Sequence, residues 1–170
     1  MTNRKQIHAV LLSVIMVMSM VAFVGAGSAA IADSNRDIGN QSPAAGADVT
    51  VTVTATVDNG SANFALSDDF SPEFQDASID SIQVDGSGVS DTDVTGQGAD
   101  GTGATVGISS NALNDGSSVT VQYTVTALDQ NDATHTITGN VTNGQTTSVG
   151  GETTFTTTAD SSGGDDTPSD

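Results

Sequence analysis

The stretch from Val49 to Val57 reads V-T-V-T-V-T-A-T-V, with apolar residues at 49, 51, 53, 55 and 57 and threonines between them. Side chains of an extended chain point alternately to opposite faces, so this run carries one dry stripe and one row of hydroxyls. Valine and threonine are β-branched and suit a pleated surface. No 3.6-residue period fits. A second run, Val119 to Ala127, repeats the pattern as V-T-V-Q-Y-T-V-T-A and holds the only tyrosine, Tyr123. Two such stripes need a sheet structure closed over them, and the rest of the chain reads as that closure.

Turn signals divide the chain. Asp58-Asn59-Gly60-Ser61 follows the first run, and Asn-Gly between alternating runs predicts a two-residue hairpin pairing Val57 with Ala62, Ala55 with Phe64 and Val53 with Leu66. The alternative is a crossing to a second sheet. Pro72 lacks a ladder donor, which argues against a central strand over Ser67 to Asp76 and leaves Phe70 and Phe74 as plugs over one end of the core. Ser78 to Val84 is a strand whose apolar residues change parity between Ile79 and Ile82, the mark of a bulge. Asp85 to Gly103, with four aspartates and six glycines, reads as a long mobile loop. Further strands are expected over Ala104 to Ile108, over Thr134 to Thr142 with His135, Ile137, Gly139 and Val141 on one face, and around Phe155. A two-residue turn at Asn143-Gly144 fails on parity, so either the loop is longer or Gly150-Gly151 flips the register. The sum is about seven short strands, which predicts an all-β, two-sheet sandwich over 48–159.

The flanks differ. Residues 1–32 hold a cationic start with Arg4 and Lys5, an apolar run from Ala9 to Val24, and small residues ending in Ser28-Ala29-Ala30 or Ala30-Ile31-Ala32. That order is a secretory signal helix. An uncleaved anchor is the rival, but spanning takes about 20 apolar residues and this run is shorter. Residues 33–47 read as a polar lead-in, with a short strand at Arg36-Asp37-Ile38, and 160–170 as a disordered acidic tail.

The charge balance excludes several functions. From Asp33 onward there are 21 acids, only two of them glutamates, against one cation, Arg36. Nucleic-acid binding needs the lysines and arginines that are missing. The acids are scattered rather than gathered on one face, and alternation argues against disorder. The acidity therefore points to a chain built for very high salt, where the Debye length is about 3 Å at 1 M. There is no cysteine, hence no disulfide and no thiolate metal site.

Little else points to chemistry. Past the signal the chain has one histidine, His135, and no lysine, so a nucleophile-and-base pair has no base but His135, which reads as structural. The chain is expected not to be an enzyme and to need no cofactor. Asp91-Thr92-Asp93-Val94-Thr95-Gly96 copies the first half of an EF-hand-like loop, but Thr102 stands where the closing acid belongs. Asp85, Asp91, Asp93 and Asp100 are the calcium candidates, set against the simpler account of a solvated acidic loop. Asn59-Gly60-Ser61, Asn140-Val141-Thr142 and Asn40-Gln41-Ser42 are N-glycosylation acceptors, the last weakened by Pro43.

These residues resemble a family. The V-T-V-T-V strand, Asp69-Phe70-Ser71-Pro72, Leu113-Asn114-Asp115-Gly116 before V-T-V-Q-Y-T-V, and Thr136-Ile137-Thr138-Gly139-Asn140-Val141 look like motifs of the immunoglobulin-like "conserved repeat" modules of haloarchaeal surface proteins. The resemblance spans Val49 to Thr158. It implies a secreted or cell-surface, non-enzymatic module with an adhesive or spacer role, and other surface proteins or glycans as partners. Membrane contact would come only through an uncleaved N-terminal segment. The alternatives are a carbohydrate- or calcium-binding accessory domain, for which exposed aromatics would speak, or a fibre subunit assembling by strand addition.

Overall fold

A computed structural model describes residues 31–58 and 60–159. In chain order they form β1 (Ile31–Ile38), β2 (Asp48–Val57), β3 (Phe64–Ser71), β4 (Asp76–Val84), β5 (Ser87–Gly88), β6 (Val94–Asp100) and β7 (Gly103–Ile108). A 3-10 turn (Ser110–Ala112) precedes β8 (Ser118–Thr126), β9 (Thr134–Asn143), β10 (Gln145–Ser148), β11 (Gly150–Gly151) and β12 (Thr154–Thr156). One sheet has the order β11-β1-β2-β8-β4-β5, the other β10-β9-β3-β7-β6, with β12 also on β9. The protein is thus an all-β, immunoglobulin-like two-sheet sandwich. The signal helix and the acidic tail lie outside the described residues.

The two alternating runs form the middle of the first sheet. β2 pairs with β8 over nine registered residues, including Val51 with Tyr123 and Val53 with Val121. Val49, Val51, Val53, Ala55 and Val57 are buried, as are Val119, Val121, Tyr123 and Val125. The threonines of both strands fill the outer face. Opposite lie Phe64, Leu66 and Phe70 of β3 and His135, Ile137 and Val141 of β9, all buried. Full burial of each such apolar side chain contributes about 1.5–3 kcal/mol, so these facing stripes hold the sandwich together.

Several expectations are corrected. Asn59-Gly60 is not a hairpin: β2 belongs to one sheet and β3 to the other, so the chain crosses there. Crossing sets the two dry stripes face to face across the core, whereas a hairpin would lay them side by side. Gly60 tucks against the Leu113–Asn114 backbone, where a Cβ has no room, and its N–H donates to Asp115 Oδ1 at 2.8 Å. Pro72 does not keep β3 from the middle of its sheet, because the strand ends at Ser71, one residue before Pro72, to which a cis bond joins it. The stretch from Asp85 to Gly103 is not a loop but β5, β6 and the start of β7. Val89 and Ala99, like Ile79, Ile82 and Val84 of β4, are partly buried against the core, apolar content that its glycines and aspartates conceal. The lead-in is also strand, since β1 starts at Ile31, pairs with β2 down to Ile38 and buries Arg36 and Ile38. Among the described residues the strand segments number twelve rather than about seven.

Other expectations hold. Phe70 and Phe74 are buried at one end, their rings edge to face at 4.9 Å. The register of β4 on β8 shifts between Ile79 and Ser81, at the bulge that parity indicated. The turn after β9, however, differs from both expected forms: it is not longer but tighter, with Asn143 paired to Gln145 and Val141 to Thr147 across Gly144, whose φ is 77°. Val149, buried, then leads the chain out of the second sheet, Gly150-Gly151 joins the first, and β12 returns to the second.

Candidate functional site

The arrangement that most departs from an ordinary apolar core is a charged cluster inside it. Arg36 of β1, Asp68 of β3 and Tyr123 of β8 meet between the sheets, with at most 1% of any of them exposed. Strand parity puts them there. Arg36 is two residues from Ile38, Asp68 lies between Leu66 and Phe70, and Tyr123 lies between Val121 and Val125, so each shares the inward face of its strand.

The Arg36 guanidinium grips the carboxylate with two nitrogens, Nη2 to Oδ1 at 2.5 Å and Nε to Oδ2 at 3.3 Å. Nη1 donates to the Ile137 carbonyl at 3.1 Å and reaches the Glu152 carbonyl at 3.5 Å. The Tyr123 hydroxyl donates to Asp68 Oδ2 at 2.6 Å. Gly139, opposite Asp68 in the β3–β9 register, leaves the space: a Cβ there would fall on Asp68 Oδ1 and the Ser67 carbonyl. Glu152 completes the surround on the β1 side, its N–H donating to the Arg36 carbonyl at 2.9 Å and its Oε2 accepting from the Ile38 N–H at 2.6 Å.

Burial pushes the Asp68 carboxyl up, against the Arg36 charge and the two side-chain hydrogen bonds that hold it down. An acid held above its ordinary value costs stability when ionised, and the Arg36 and Tyr123 contacts offset part of that cost. Burial and the adjacent Asp68 charge push the Tyr123 phenol far above its usual value, which keeps it a hydrogen-bond donor. Among the described residues Arg36–Asp68 is the one ion pair, so the one arginine among them is spent inside the core. The site has no nucleophile, no free base and no open approach. It can bind and hold, and the group it holds is part of the same chain.

His135 forms a second buried polar feature. Its ring stacks on Phe74 at 4.7 Å and on Phe155 at 4.9 Å, and neither ring nitrogen has a hydrogen-bond partner. Burial pushes the imidazole below its ordinary value, while the Pro72 carbonyl pulls weakly the other way without meeting hydrogen-bond geometry. The unfolded chain therefore takes up this proton first, and stability falls as the pH drops from about 6.5 toward the folded value. His135→Phe, which keeps the stack, is expected to remove a slope of up to about 1.4 kcal/mol per pH unit. Urea midpoints of the two proteins between pH 7 and pH 5 check this, and parallel profiles would count against it.

The calcium candidates do not converge. Asp85 accepts from the Ser118 N–H at 2.8 Å and from Ser117 Oγ at 3.0 Å. Asp100 accepts from the Thr102 N–H at 2.8 Å and from Thr102 Oγ1 at 2.6 Å. Asp91 and Asp93 stand at the opposite end of β6 from Asp100, roughly 20 Å away at strand rise. No three metal-ligating side chains gather among the described residues. Calorimetry in molar sodium chloride is expected to give no calcium binding tighter than about the millimolar range, with Asp91→Ala/Asp93→Ala indistinguishable from wild type. Micromolar binding lost in the double variant would overturn that.

Asn40 and Asn140 are exposed, and Val141 beside Asn140 is buried, so Asn140 faces outward. Asn59 lies outside the described residues. A shallow depression of about 280 Å³ on the outer face of β1 and β2 is lined by Asp33, Ser34, Asn35, Thr54, Thr56 and Ser118, and no aromatic side chain lines it. Phe64, Phe70, Phe74, Tyr123 and Phe155 are all buried, so none forms an exposed platform for sugars.

No protein-family model and no curated protein matches the chain by sequence. Solved structures resemble it in fold. The pilus backbone RrgB from Streptococcus pneumoniae shares 14% identity at a TM-score of 0.52, over 65% of this chain and 30% of its own. The major pilin subunit BcpA of Bacillus cereus shares 10% at 0.54, over 74% and 39%. The C-terminal domain of the Streptococcus agalactiae AgI/II polypeptide BspA shares 9% at 0.58, over 74% and 50%. The chain spans half or less of each of these neighbours, and at such identities the likeness is one of fold.

Proposed function

We propose that this chain is an exported, non-enzymatic module of the cell surface, adapted to high salt, that serves as an in-line spacer or adhesive element. The observation that carries the reading is where the two ends of the sandwich leave it. Ile31 pairs with Val57 at the far end of β2, while Thr158 bonds Pro43 and Ala45 beside the start of β2. The ten residues of β2 separate these points by roughly 30 Å. The chain thus enters at one end of the sandwich and leaves at the other, the geometry a module needs to sit in a linear stalk. A polar cluster closed to solvent, without a reactive pair, supports a holding role over a catalytic one.

Four further observations support the reading. The fold neighbours are named as pilus, pilin and AgI/II polypeptide domains. The cationic, apolar and small-residue order of 1–32 supports export through a cleaved signal, and the acidity supports a saline, haloarchaeal setting. Exposed Asn40 and Asn140 favour glycosylation, with Asn59 as the third acceptor. Other surface proteins or glycans are the partners this implies. Mass spectrometry of the protein from its native host, reporting mature N-terminus, glycans and cell fraction, tests the reading. Recovery from the cytoplasm with Met1 intact would overturn it.

A second reading, a fibre subunit joined by strand addition, is favoured by one edge. The first sheet ends in two-residue strands, β5 and β11, which offer little to pair with. The second ends in β6, seven residues without proline or lysine and with one irregularity, between Val94 and Gly96 at its start. Sedimentation across a concentration series in molar salt separates the readings, since a spacer stays monomeric and a fibre subunit does not.

A further inference from the structure

We propose that the Arg36 cluster is a mechanical clamp that lets the sandwich bear tension between its two ends. The inference rests on the in-line reading for its purpose. Its physical content comes from strand directions. β1 runs from Ile31, at the entry end, toward the exit end. β11 lies beside it in parallel, with Asn35 opposite Gly150 and Arg36 opposite Gly151. From β11 the chain passes through Glu152 into β12 and out at the exit end. Tension on the chain ends therefore draws β1 one way and the Gly150–Glu152 segment the other, along their shared axis. Contacts loaded in this sense are sheared together, whereas a strand peeled from one end loses them singly. Rupture under force is governed by the unfolding barrier rather than by equilibrium stability.

Arg36 sits on the sheared segment, opposite Gly151. Its carbonyl accepts from the Glu152 N–H at 2.9 Å, and Glu152 Oε2 accepts from the Ile38 N–H at 2.6 Å. Its side chain passes through the core to Asp68 on β3 and the Ile137 carbonyl on β9. β1 cannot slide by one register without drawing a guanidinium out of a two-pronged carboxylate contact in a dry interior. Charge-assisted pairs of this kind are short and directional, and a buried pair is little screened by salt. An ordinary apolar residue at position 36 would slide with far less resistance. This gives a reason for a costly charge in the core that equilibrium stability does not.

The test is single-molecule pulling on the whole chain in molar salt. The chain has no cysteine, so handles can be placed without ambiguity. Pulled at its two ends, wild type should show a high-force rupture. Pulled between Ser87→Cys and Asn131→Cys, a pair that spans the same two ends of the sandwich without loading β1, it should rupture at lower force. Arg36→Ala should lose the high-force event in the first geometry and leave the second unchanged. Glu152→Ala removes a half-buried side chain with a single hydrogen bond to β1 and should lower the end-to-end force, which keeps the test open if Arg36→Ala does not fold. Val106→Ala destabilises β7, off the load path, and should leave the end-to-end force as it is. Equal forces in the two geometries, or a Glu152→Ala force equal to wild type, would overturn the clamp. Neither outcome bears on the surface reading, which is decided by cell fraction and mature N-terminus.

Discussion

Asp68→Ala is expected to lower stability by about 3–5 kcal/mol, because it leaves the Arg36 guanidinium buried without its counter-charge. Against the roughly 5–15 kcal/mol that holds a domain folded, the variant stands near the edge of folding. The triple variant Arg36→Met/Asp68→Leu/Tyr123→Phe removes every charged and hydroxyl group of the cluster and is expected to fall far less, since apolar replacement of a whole buried ionic group is often neutral or stabilising. Arg36→Lys is expected to lower stability as well. A lysine is a point charge and cannot reproduce the two-pronged grip on Asp68 while also serving the Ile137 carbonyl. Gly139→Ala tests the same cluster from the other side, because its methyl would fall on Asp68 Oδ1 and the Ser67 carbonyl. Urea unfolding at fixed molar salt measures all four. A cost below about 1 kcal/mol for Asp68→Ala would mean that Arg36 finds water on its loss, and that the site is not closed.

Strand parity accounts both for what the sequence discloses of this fold and for what it hides. The runs from Val49 and Val119, the bulge after Ile79 and the inward set His135, Ile137 and Val141 follow directly from alternation, and all appear where alternation puts them. Sheet membership does not follow. Whether Asn59-Gly60 closes a hairpin or starts a crossing depends on how the two dry stripes are covered, which is a tertiary matter. β6 escapes because glycine, threonine and glutamine at an edge need bury little. The central cluster was within reach of the same rule. Arg36 has the parity of Ile38, Asp68 that of Leu66 and Phe70, and Tyr123 that of Val121. One assumption concealed it: that the segment before Pro72 could not be a central strand.

Unfolding or expansion at low ionic strength, with recovery in molar salt, is the other large effect expected. With Arg36 enclosed by Asp68, no acid on the surface of the described residues has a basic partner. Asp48 and Asp76 flank Thr126 on the same outer face from neighbouring strands, and Asp80 stands beside Thr124 further along. At 0.1 M salt the Debye length is about 10 Å, so charges two strands apart still repel, whereas at 1 M it is about 3 Å and they do not. Repulsion of this kind acts against the compact state, and a core with few large side chains has little margin to oppose it. Circular dichroism along a potassium chloride titration should show the β signal appear cooperatively as salt rises. Asp76→Asn keeps the acceptor used by the Ala77 N–H and removes a charge, so it should move the midpoint to lower salt. Sucrose at matched osmotic strength should not substitute for salt if screening is the cause. A β spectrum unchanged from millimolar to molar salt would show that the sandwich carries its charge unaided and that the acidity serves another purpose.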